Sequence, residues 1–287
     1  MTPFAAGRNR IGWSKGGKSA WWKDTEIADT FTRECLQFIE RNKEKRFFLL
    51  FTPHNVHAPI IPHPRFDGSS GLGKRADMLH ELDASIGEIL ATLDRLQLAK
   101  DTLIIFSSDN GSYATNESGH KPNGPFSGVK SQLWEGGHRV PFIVRWPARI
   151  QPGVSDDLVS TIDVPATLCA AVGIAVPKDA LPDSYNLLPA LLGEKNAPKR
   201  ENLVLLSGSG HLAIRCQQYK YMPNLAYADG WKAAAQKAPN APAKPALFDL
   251  TKDPGETNNL YATETATAKR LAEELAKAEK ATRTRPQ

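Results

Sequence analysis

The stretch 101-DTLIIFSSDNG-111 joins a short apolar run to a polar turn. The run Leu103–Phe106 has the length and the continuous apolar character of a strand that is buried on both faces. In open α/β sheets, ligands bind outside the carboxyl ends of parallel strands. The turn 108-SDNG-111 follows the strand at that end, which makes it a candidate ligand site.

A second apolar run, 47-FFLLF-51, lies upstream and leads into a proline-rich loop. Between the two runs, the apolar residues of 75–98 recur at the spacing of an amphipathic helix. Strand, helix and strand form a βαβ unit, in which the two strands are expected to be parallel with a right-handed crossover. Both carboxyl ends would then lie at one sheet edge, so His57 and Asp109 are candidates for a single site.

The remaining patterns extend this α/β character to about residue 195, after which short strands with hairpin spacing follow. Helices are predicted over 25–45, 161–173 and 262–280, and strands over 141–146, 202–207, 211–222 and 246–251. The fold class is therefore α/β, with a partial mixed sheet flanked by helices and a small C-terminal antiparallel sheet with a packing helix. The predicted domains are 1–198 and 199–287.

Composition excludes several classes of protein. Of 287 residues, 41% are hydrophobic and 23% charged, as in ordinary globular proteins. The longest apolar runs are too short to cross a bilayer, and the first ten residues contain no apolar signal segment. The net charge of +5 comes from dispersed basic residues, unlike the concentrated stripe of a nucleic-acid-binding protein. The odd set Cys35, Cys169 and Cys216 favours buried, inert thiols over disulfides or a zinc ribbon.

Asp109 and Asn110 offer a carboxylate and an amide oxygen side by side. Hard oxygen ligands of this kind favour Ca²⁺ or Mg²⁺ over Zn²⁺. The alternative is a plain turn, because Asn-Gly is a frequent turn pair.

Three histidines, His54, His57 and His63, lie in the proline-rich loop. His57 is a candidate for anion binding in its charged form, or for a general acid or general base. A zinc set of all three is conceivable, but the prolines favour an extended path that carries His63 away. A structural role is the alternative for each.

A glycine-rich segment, 128-GVKSQLWEGGHRVP-141, follows the Asp-Asn turn along the chain. Gly128 would let the backbone approach a ligand closely, and Lys130 would supply a point charge to an oxyanion. The alternative is a solvated lysine in a flexible loop. Trp134 and the paired glycines are expected to shape the entry into the next strand, with Arg139 in a structural role.

Five segments occur together in an order and spacing that resembles the sulfatases, arylsulfatase-like members of the alkaline-phosphatase-like superfamily. The resemblance covers about residues 20–262. The segments are FFLLFTPHNVHAPIIPHPRF (47–66), MLHELDASIGEILATLDRL (78–96), TLIIFSSDNGS (102–112), NGPFSGVKSQLWEGGHRVPFIVRWPARI (123–150) and LFDLTKDPGETNNL (247–260).

The resemblance implies a calcium site, a sulfate-ester substrate and a formylglycine nucleophile. Asp109 and Asn110 match the second pair of calcium ligands. His57 matches the histidine that contacts the sulfate near the leaving oxygen. Lys130 matches the lysine that binds the sulfate and shares in protonating the leaving group, so the resemblance implies a catalytic role for both residues. The segment 247–260 resembles a structural signature of the C-terminal domain, and no catalytic role is implied for it.

The sequence departs from the family pattern in its N-terminal part. No Cys or Ser begins a C/S-x-P/A-x-R motif, the source of formylglycine, and the early Asp-Asp calcium ligands and Gly-Lys-Trp-His stretch are missing. The chain thus resembles the C-terminal portion of a sulfatase, without the N-terminal nucleophile segment. We expect an incomplete calcium site and no nucleophile in this chain. We also expect no turnover by the isolated chain, and a missing segment or companion chain as a partner.

Two rival functions remain open from the sequence. One is a phosphonate or phosphoester hydrolase of the same superfamily, whose nucleophile would also lie in the missing region. The other is a non-catalytic remnant that binds sulfated glycans. The net charge of +5 and the missing nucleophile support this alternative. The resemblance further suggests a sulfate-ester small molecule or sulfated glycan as substrate, and a periplasmic or secreted location.

Overall fold

The computed structural model describes residues 23–113, 119–230 and 244–285. Residues 1–24, whose sequence has no clear period and therefore predicts a loop, lie almost entirely outside the described residues. The chain forms two compact units, one built from Met1–Thr102 with Asn116–Lys121 and the other from Leu103–Thr115 with Pro122–Gln287. The predicted boundary between 198 and 199 remains a prediction.

Two helices form the framework of the first unit, α1 (Ile27–Asn42) and α2 (Lys74–Arg95). The buried residues of α1 include Ala28, Cys35 and Ile39, which follow the helical repeat and form one apolar face. The predicted helices over 25–45 and 75–98 are confirmed, each somewhat shorter than expected.

The apolar run 47–51 is not a strand. No segment of the described chain forms a hydrogen-bonded ladder with it. Phe47 packs edge-on against Phe38 of α1, with ring centroids 5.8 Å apart, whereas Phe48 and Leu50 are 70% and 74% exposed. The strand prediction was wrong here because composition indicates which residues suit a strand, while a strand exists only where a neighbour completes the ladder.

The second unit begins with β1 (Ile104–Ser107), which pairs with β2 (Phe142–Arg145). The pairing is antiparallel, with Ile104 opposite Arg145 and Ser107 opposite Phe142. Both strands were predicted correctly. The parallel βαβ arrangement was wrong, because within the described residues the partner of β1 is β2 and the run 47–51 pairs with neither strand.

Short helices connect the two sheets of this unit. They are α3 (Glu135–His138), α4 (Val164–Ala171) and α5 (Leu188–Leu191). A 3₁₀ turn, Thr161–Asp163, precedes α4, so the helix predicted over 161–173 begins as a tighter turn and ends earlier than expected.

The C-terminal region is a four-stranded antiparallel sheet covered by a helix, as predicted. The sheet has the order β3-β4-β5-β6. Its strands are β3 (Asn202–Leu206), β4 (Leu212–Cys216), β5 (Tyr219–Met222) and β6 (Ala246–Asp249), and the helix is α6 (Thr265–Lys280).

Both faces of this sheet are covered by apolar residues. On one face, Ile214 and Leu247 pack against Leu271 and Leu275 of α6. On the other face, Phe248 and its neighbours pack against Leu133, and the ring of Trp134 lies 5.7 Å from that of Phe248. The segment that follows Lys130 is thus part of the core of the C-terminal sheet.

The cysteines and the apolar helices were also the subject of sequence predictions. All three cysteines are free thiols; Cys35 is buried, while Cys169 and Cys216 are only half-buried, which corrects the expectation of three buried thiols. No helix among the described residues combines the length and apolar character needed to span a bilayer.

Candidate active site

The turn after β1 presents oxygen atoms to the surface. Asp109 is exposed and Asn110 half-buried. The Ser108 hydroxyl donates to the Asn110 carbonyl at 2.9 Å, and the Asn110 amide nitrogen donates to the Gly111 carbonyl at 3.0 Å. With its nitrogen engaged, Asn110 has its side-chain oxygen left to serve as a cation ligand. The turn and the ligand interpretations of this pair are therefore compatible, since the hydrogen bonds of the turn use the Asn110 side-chain nitrogen and not its oxygen.

Gly111 fixes the turn against α3. Its N–H donates to the Gly137 carbonyl at 3.0 Å. A Cβ at this position would lie 1.8 Å from the Gly136 carbonyl oxygen, a distance that real Cβ atoms do not show. Glycine is required at residue 111 because two backbone segments meet there without room for a side chain.

Lys130 is held directly beside the Asp-Asn turn. Its backbone N–H donates to the Ser112 carbonyl at 2.9 Å. Asn123 joins the same two segments, since its oxygen accepts from the Ser112 N–H at 3.0 Å and its nitrogen donates to the Gly128 carbonyl at 2.8 Å. These bonds bring the predicted lysine and the predicted metal ligands together in one part of the second unit.

Gly128 allows a close approach to Trp134, while the predicted approach to a ligand remains a prediction. Its φ of +79° lies in the left-handed region, and a Cβ there would lie 2.4 Å from the Cβ of Trp134. The backbone therefore passes directly over Trp134, whose indole N–H donates to Asp229 at 2.9 Å. This packing gives the loop that carries Lys130 one defined path.

A buried ionic cluster lies at the start of α3. Glu135 contacts the Lys220 ammonium at 2.9 Å and the Arg215 guanidinium at 3.3 Å. Burial would raise the pKa of Glu135, but Lys220 and Arg215 outweigh it and hold that pKa below its usual value. Arg139 lies 3.7 Å from the same carboxylate, in agreement with its predicted structural role.

His138, at the end of α3, is kept neutral. Burial lowers its pKa to about 4, and the nearby Lys220 ammonium acts in the same direction. Its Nε2 atom is buried and has no hydrogen-bond partner within the described residues. At pH 7 this imidazole behaves as an uncharged packing group.

His57 lies in the first unit and is exposed. Its Nδ1 atom is 2.9 Å from the Ala58 carbonyl. Because a carbonyl only accepts, Nδ1 donates in this contact, and Nε2 is the ring nitrogen that this contact leaves unused. The turn is closed by the His57 N–H, which donates to the His54 carbonyl at 2.9 Å.

The histidine loop is anchored to α2 through Glu81. This carboxylate is buried and accepts from the Asn55 amide at 2.8 Å and from the His63 N–H at 3.1 Å. Asn55 also donates to the Met78 carbonyl at 3.1 Å, and Arg75 donates to the Val56 carbonyl at 3.0 Å. The His57 turn therefore rests on a helix rather than moving freely.

The other two histidines have local partners. Burial lowers the pKa of His54, whose Nε2 atom is 3.4 Å from the Pro59 carbonyl. His63 accepts from the Arg65 N–H at 3.2 Å and lies 3.9 Å from Asp29. Across residues 23–113, 119–230 and 244–285, no group of three or more His, Cys, Asp or Glu side chains is arranged to hold a metal ion.

Sequence reasoning identified the chemical groups but missed their supports. Asp109, Asn110 and Lys130 share the second unit, while His57 belongs to the first, and the assignment of all four to one site remains a prediction. Asn55, Glu81 and Asn123 were missed. Each lies inside or beside a segment that was singled out, but nothing in a single sequence separates an anchoring amide or carboxylate from a solvated one.

Comparison with known proteins identifies the family. The sequence model described as sulfatase matches residues 10–174, and the one described as N-sulphoglucosamine sulphohydrolase, C-terminal, matches residues 129–282. The chain is 42% identical over 280 residues to the N-acetylgalactosamine-6-O-sulfatase of Bacteroides thetaiotaomicron, covering 93% of this chain and 53% of that protein. It is 34% identical over 230 residues to human arylsulfatase A, covering 77% of this chain and 45% of that protein.

The fold agrees with these matches. A solved structure from work on glycosaminoglycan metabolism by Bacteroides thetaiotaomicron superimposes with a TM-score of 0.83 at 40% sequence identity. The match covers 95% of this chain and 58% of that chain. The chain spans about half the length of the curated relatives it matches. With a family model matching more than half of its residues and a shared fold, the chain belongs to the sulfatase family.

Proposed function

We propose that the protein to which this chain belongs hydrolyses sulfate esters to an alcohol and sulfate. The observation that carries the proposal is the hydrogen bond from the backbone N–H of Lys130 to the Ser112 carbonyl at 2.9 Å, which fixes the backbone of a lysine next to the Asp109-Asn110 turn. The positive charge of the lysine side chain and a metal ion bound by Asp109 and Asn110 would both suit a substrate that bears negative charge on three oxygens. Membership of the sulfatase family supports the same reading.

Asp109 and Asn110 would hold a calcium ion. Their carboxylate and amide oxygens fit the donor preference of calcium, which takes six to eight oxygen ligands, so other groups must complete the shell. When bound, the ion would supply positive charge to the sulfate oxygens. We expect chelation of calcium to lower turnover by the complete protein and re-addition to restore it. Full turnover in excess chelator would refute the calcium assignment.

Lys130 and His57 have separate tasks in this proposal. Lys130 binds a sulfate oxygen and offsets its charge. His57 donates a proton from Nε2 to the bridging oxygen as the S–O bond breaks, and its Nδ1–H stays on the Ala58 carbonyl. The nucleophile comes from outside the residues named here, and we expect the isolated 287-residue chain to have no turnover.

The substrate class and setting are part of the proposal. A relative that is 42% identical is an N-acetylgalactosamine-6-O-sulfatase, which favours a sulfated glycan over a small aryl sulfate as natural substrate. An N-terminal segment or companion chain that supplies the nucleophile is the expected partner. A periplasmic or secreted location fits an extracellular glycan as substrate.

The experiment uses the complete protein product that contains this chain, assayed with 4-nitrophenyl sulfate. Lys130→Ala should lower kcat/KM by about 100- to 1,000-fold, because it removes one stabiliser of the oxyanion. Lys100→Ala is the matched control, since Lys100 is an exposed lysine ahead of β1, and should stay within about twofold of wild type. Equal effects of the two substitutions would remove Lys130 from the site.

A further inference from the structure

Lys220 is a buried lysine on β5, one of the two inner strands of the C-terminal sheet. Its side chain is 0% exposed. The ammonium lies 2.9 Å from the Glu135 carboxylate and 2.7 Å from the Glu256 carboxylate, and it donates to the Leu133 carbonyl at 2.9 Å. The buried ammonium thus has one hydrogen-bond acceptor, the Leu133 carbonyl, and two carboxylates within ion-pair distance that offset its charge.

All three acceptors belong to segments that surround Lys130. Leu133 and Glu135 follow it along the chain, and Glu256 belongs to the late segment 247–260. Glu256 also accepts from the Glu135 N–H at 2.6 Å, at the start of α3. The late segment, which resembled only a structural signature, therefore contacts the segment that carries the lysine of the site.

The same late segment also holds the other end of the Lys130 loop. The Ser127 hydroxyl donates to the Gly255 carbonyl at 2.6 Å. Residues 127 and 135 are thus fixed to one turn, Gly255–Glu256, with Lys130 between them. Glu256 has a φ of +56°, so the turn adopts an uncommon backbone conformation while it makes these contacts.

The fixed loop is in turn bonded to the candidate metal turn. The backbone N–H of Lys130 donates to the Ser112 carbonyl at 2.9 Å, and the backbone N–H of Gly111 donates to the Gly137 carbonyl at 3.0 Å. A shift of Glu135 would therefore move both Lys130 and the support of Asp109 and Asn110. Small displacements of this kind are costly, since about 1 Å of misplacement lowers catalysis by about 100-fold.

We propose that Lys220 and Glu256 are positioning residues of the sulfatase site, which act by holding Glu135 and, through it, the loop of Lys130. The inference rests on the proposed function for its catalytic consequence but not for its geometry. Neither residue touches the substrate in this account. Their effect passes through the backbone of residues 127–137.

The first arm of the test measures catalysis by the complete protein. Lys220→Met should lower kcat for 4-nitrophenyl sulfate, per folded molecule, by about 100-fold. Leu271→Ala is the control, because Leu271 is fully buried on the opposite face of the same sheet, against α6. It should lower Tm as Lys220→Met does but leave kcat unchanged. Equal kcat in both variants would overturn the proposal.

The second arm uses hydrogen exchange in the same variants. Amides of residues 128–137 should exchange at least about 10-fold faster in Lys220→Met than in wild type, relative to amides of β4. Leu271→Ala should not show this difference. If wild type hydrolyses no sulfate ester, the proposed function fails, but this arm still decides whether Lys220 positions the loop. Unchanged exchange in residues 128–137 would overturn the proposal.

A second, milder substitution keeps the proposal testable if Lys220→Met does not fold. Glu256→Gln retains the shape of the side chain and an oxygen for the Glu135 N–H but removes the charge opposite Lys220. We expect a loss of about 10-fold in kcat and faster exchange confined to residues 128–137. Wild-type kcat and exchange in a folded Glu256→Gln protein would also overturn the proposal.

Discussion

Gly111 determines how closely the Asp109-Asn110 turn approaches α3. The contact leaves no space for a Cβ, which would lie 1.8 Å from the Gly136 carbonyl oxygen. The sequence shows an Asn-Gly pair, which predicts a turn but not this contact. The residue type was therefore informative, while its partner, 25 positions away, could be found only in the structure.

Gly111→Ala should destabilise the chain. The added methyl forces two backbone segments apart, and we expect the free energy of unfolding to fall by about 1–3 kcal/mol or more. The control is Gly87→Ala, at an exposed position in α2 where a Cβ meets nothing within 4 Å. It should raise stability by about 0.5–1 kcal/mol. The midpoint urea concentration of unfolding is measured for both variants. Equal midpoints would contradict the close approach of Gly111 to the Gly136 carbonyl.

His138 should make the second unit acid-sensitive. Its pKa is lowered to about 4 in the folded state, from an ordinary value of 6.5. The folded state therefore binds this proton less readily than the unfolded state. The stabilising contribution is complete above pH 6.5 and is lost as the pH falls towards 4, by up to about 1.4 kcal/mol per pH unit.

His138→Asn tests this contribution, because Asn keeps an amide near the position of Nδ1 but does not titrate. Urea unfolding of wild type and variant at several pH values between 4 and 7 gives the difference in slope. We expect the variant to lose less stability over this range, while carboxylates that titrate there affect both proteins alike. Parallel curves would show that His138 is not held neutral.

A buried ion pair holds the 3₁₀ turn before α4 in place. Asp163 is 0% exposed, pairs with the guanidinium of Arg200, and accepts from the Ser160 N–H and the Tyr185 N–H, both at 2.9 Å. Arg200 also lies over the Tyr185 ring, 4.1 Å from its centroid. One carboxylate thus joins the start of a helix, a loop and the approach to β3.

Asp163→Ala should be strongly destabilising, by about 3–5 kcal/mol, because it leaves the Arg200 charge buried and unpaired. Asp157→Ala breaks a pair with Lys199 near the surface, where the Asp157 side chain is 29% exposed and that of Lys199 68% exposed. It should cost about 0–1 kcal/mol. Thermal and urea unfolding compare the two variants, and similar losses would contradict the role given to burial.

Elements were predictable where periodicity was long or the turn chemistry was clear. Both long helices of the first unit and the strands of the C-terminal sheet were found within a few residues. The run 47–51 was not, because a strand depends on a neighbour that the local sequence does not contain. Its alternation of half-buried and exposed residues, with Phe48 and Leu50 outward, matches a strand in geometry but lacks the ladder.

At the scale of the whole molecule, the C-terminal sheet packs against the segment that follows Lys130. One face packs on α6, and the other packs on Leu133 and Trp134, next to the Lys130 loop. Sequence reasoning predicted the sheet and the site separately. Their connection through Lys220, Glu135 and Glu256 could not be predicted, since it joins three segments that are far apart in sequence and shows no pattern of its own.

The proposal that the complete protein cleaves sulfate esters is tested most directly by the release of inorganic sulfate from 4-nitrophenyl sulfate by that protein. The hydrolysis of an aryl phosphonate and an aryl phosphate at equal concentration is measured in parallel. We expect the fastest turnover with the sulfate ester. Preferred turnover of the phosphonate or phosphate, or binding of a sulfated glycan without release of sulfate, would contradict it.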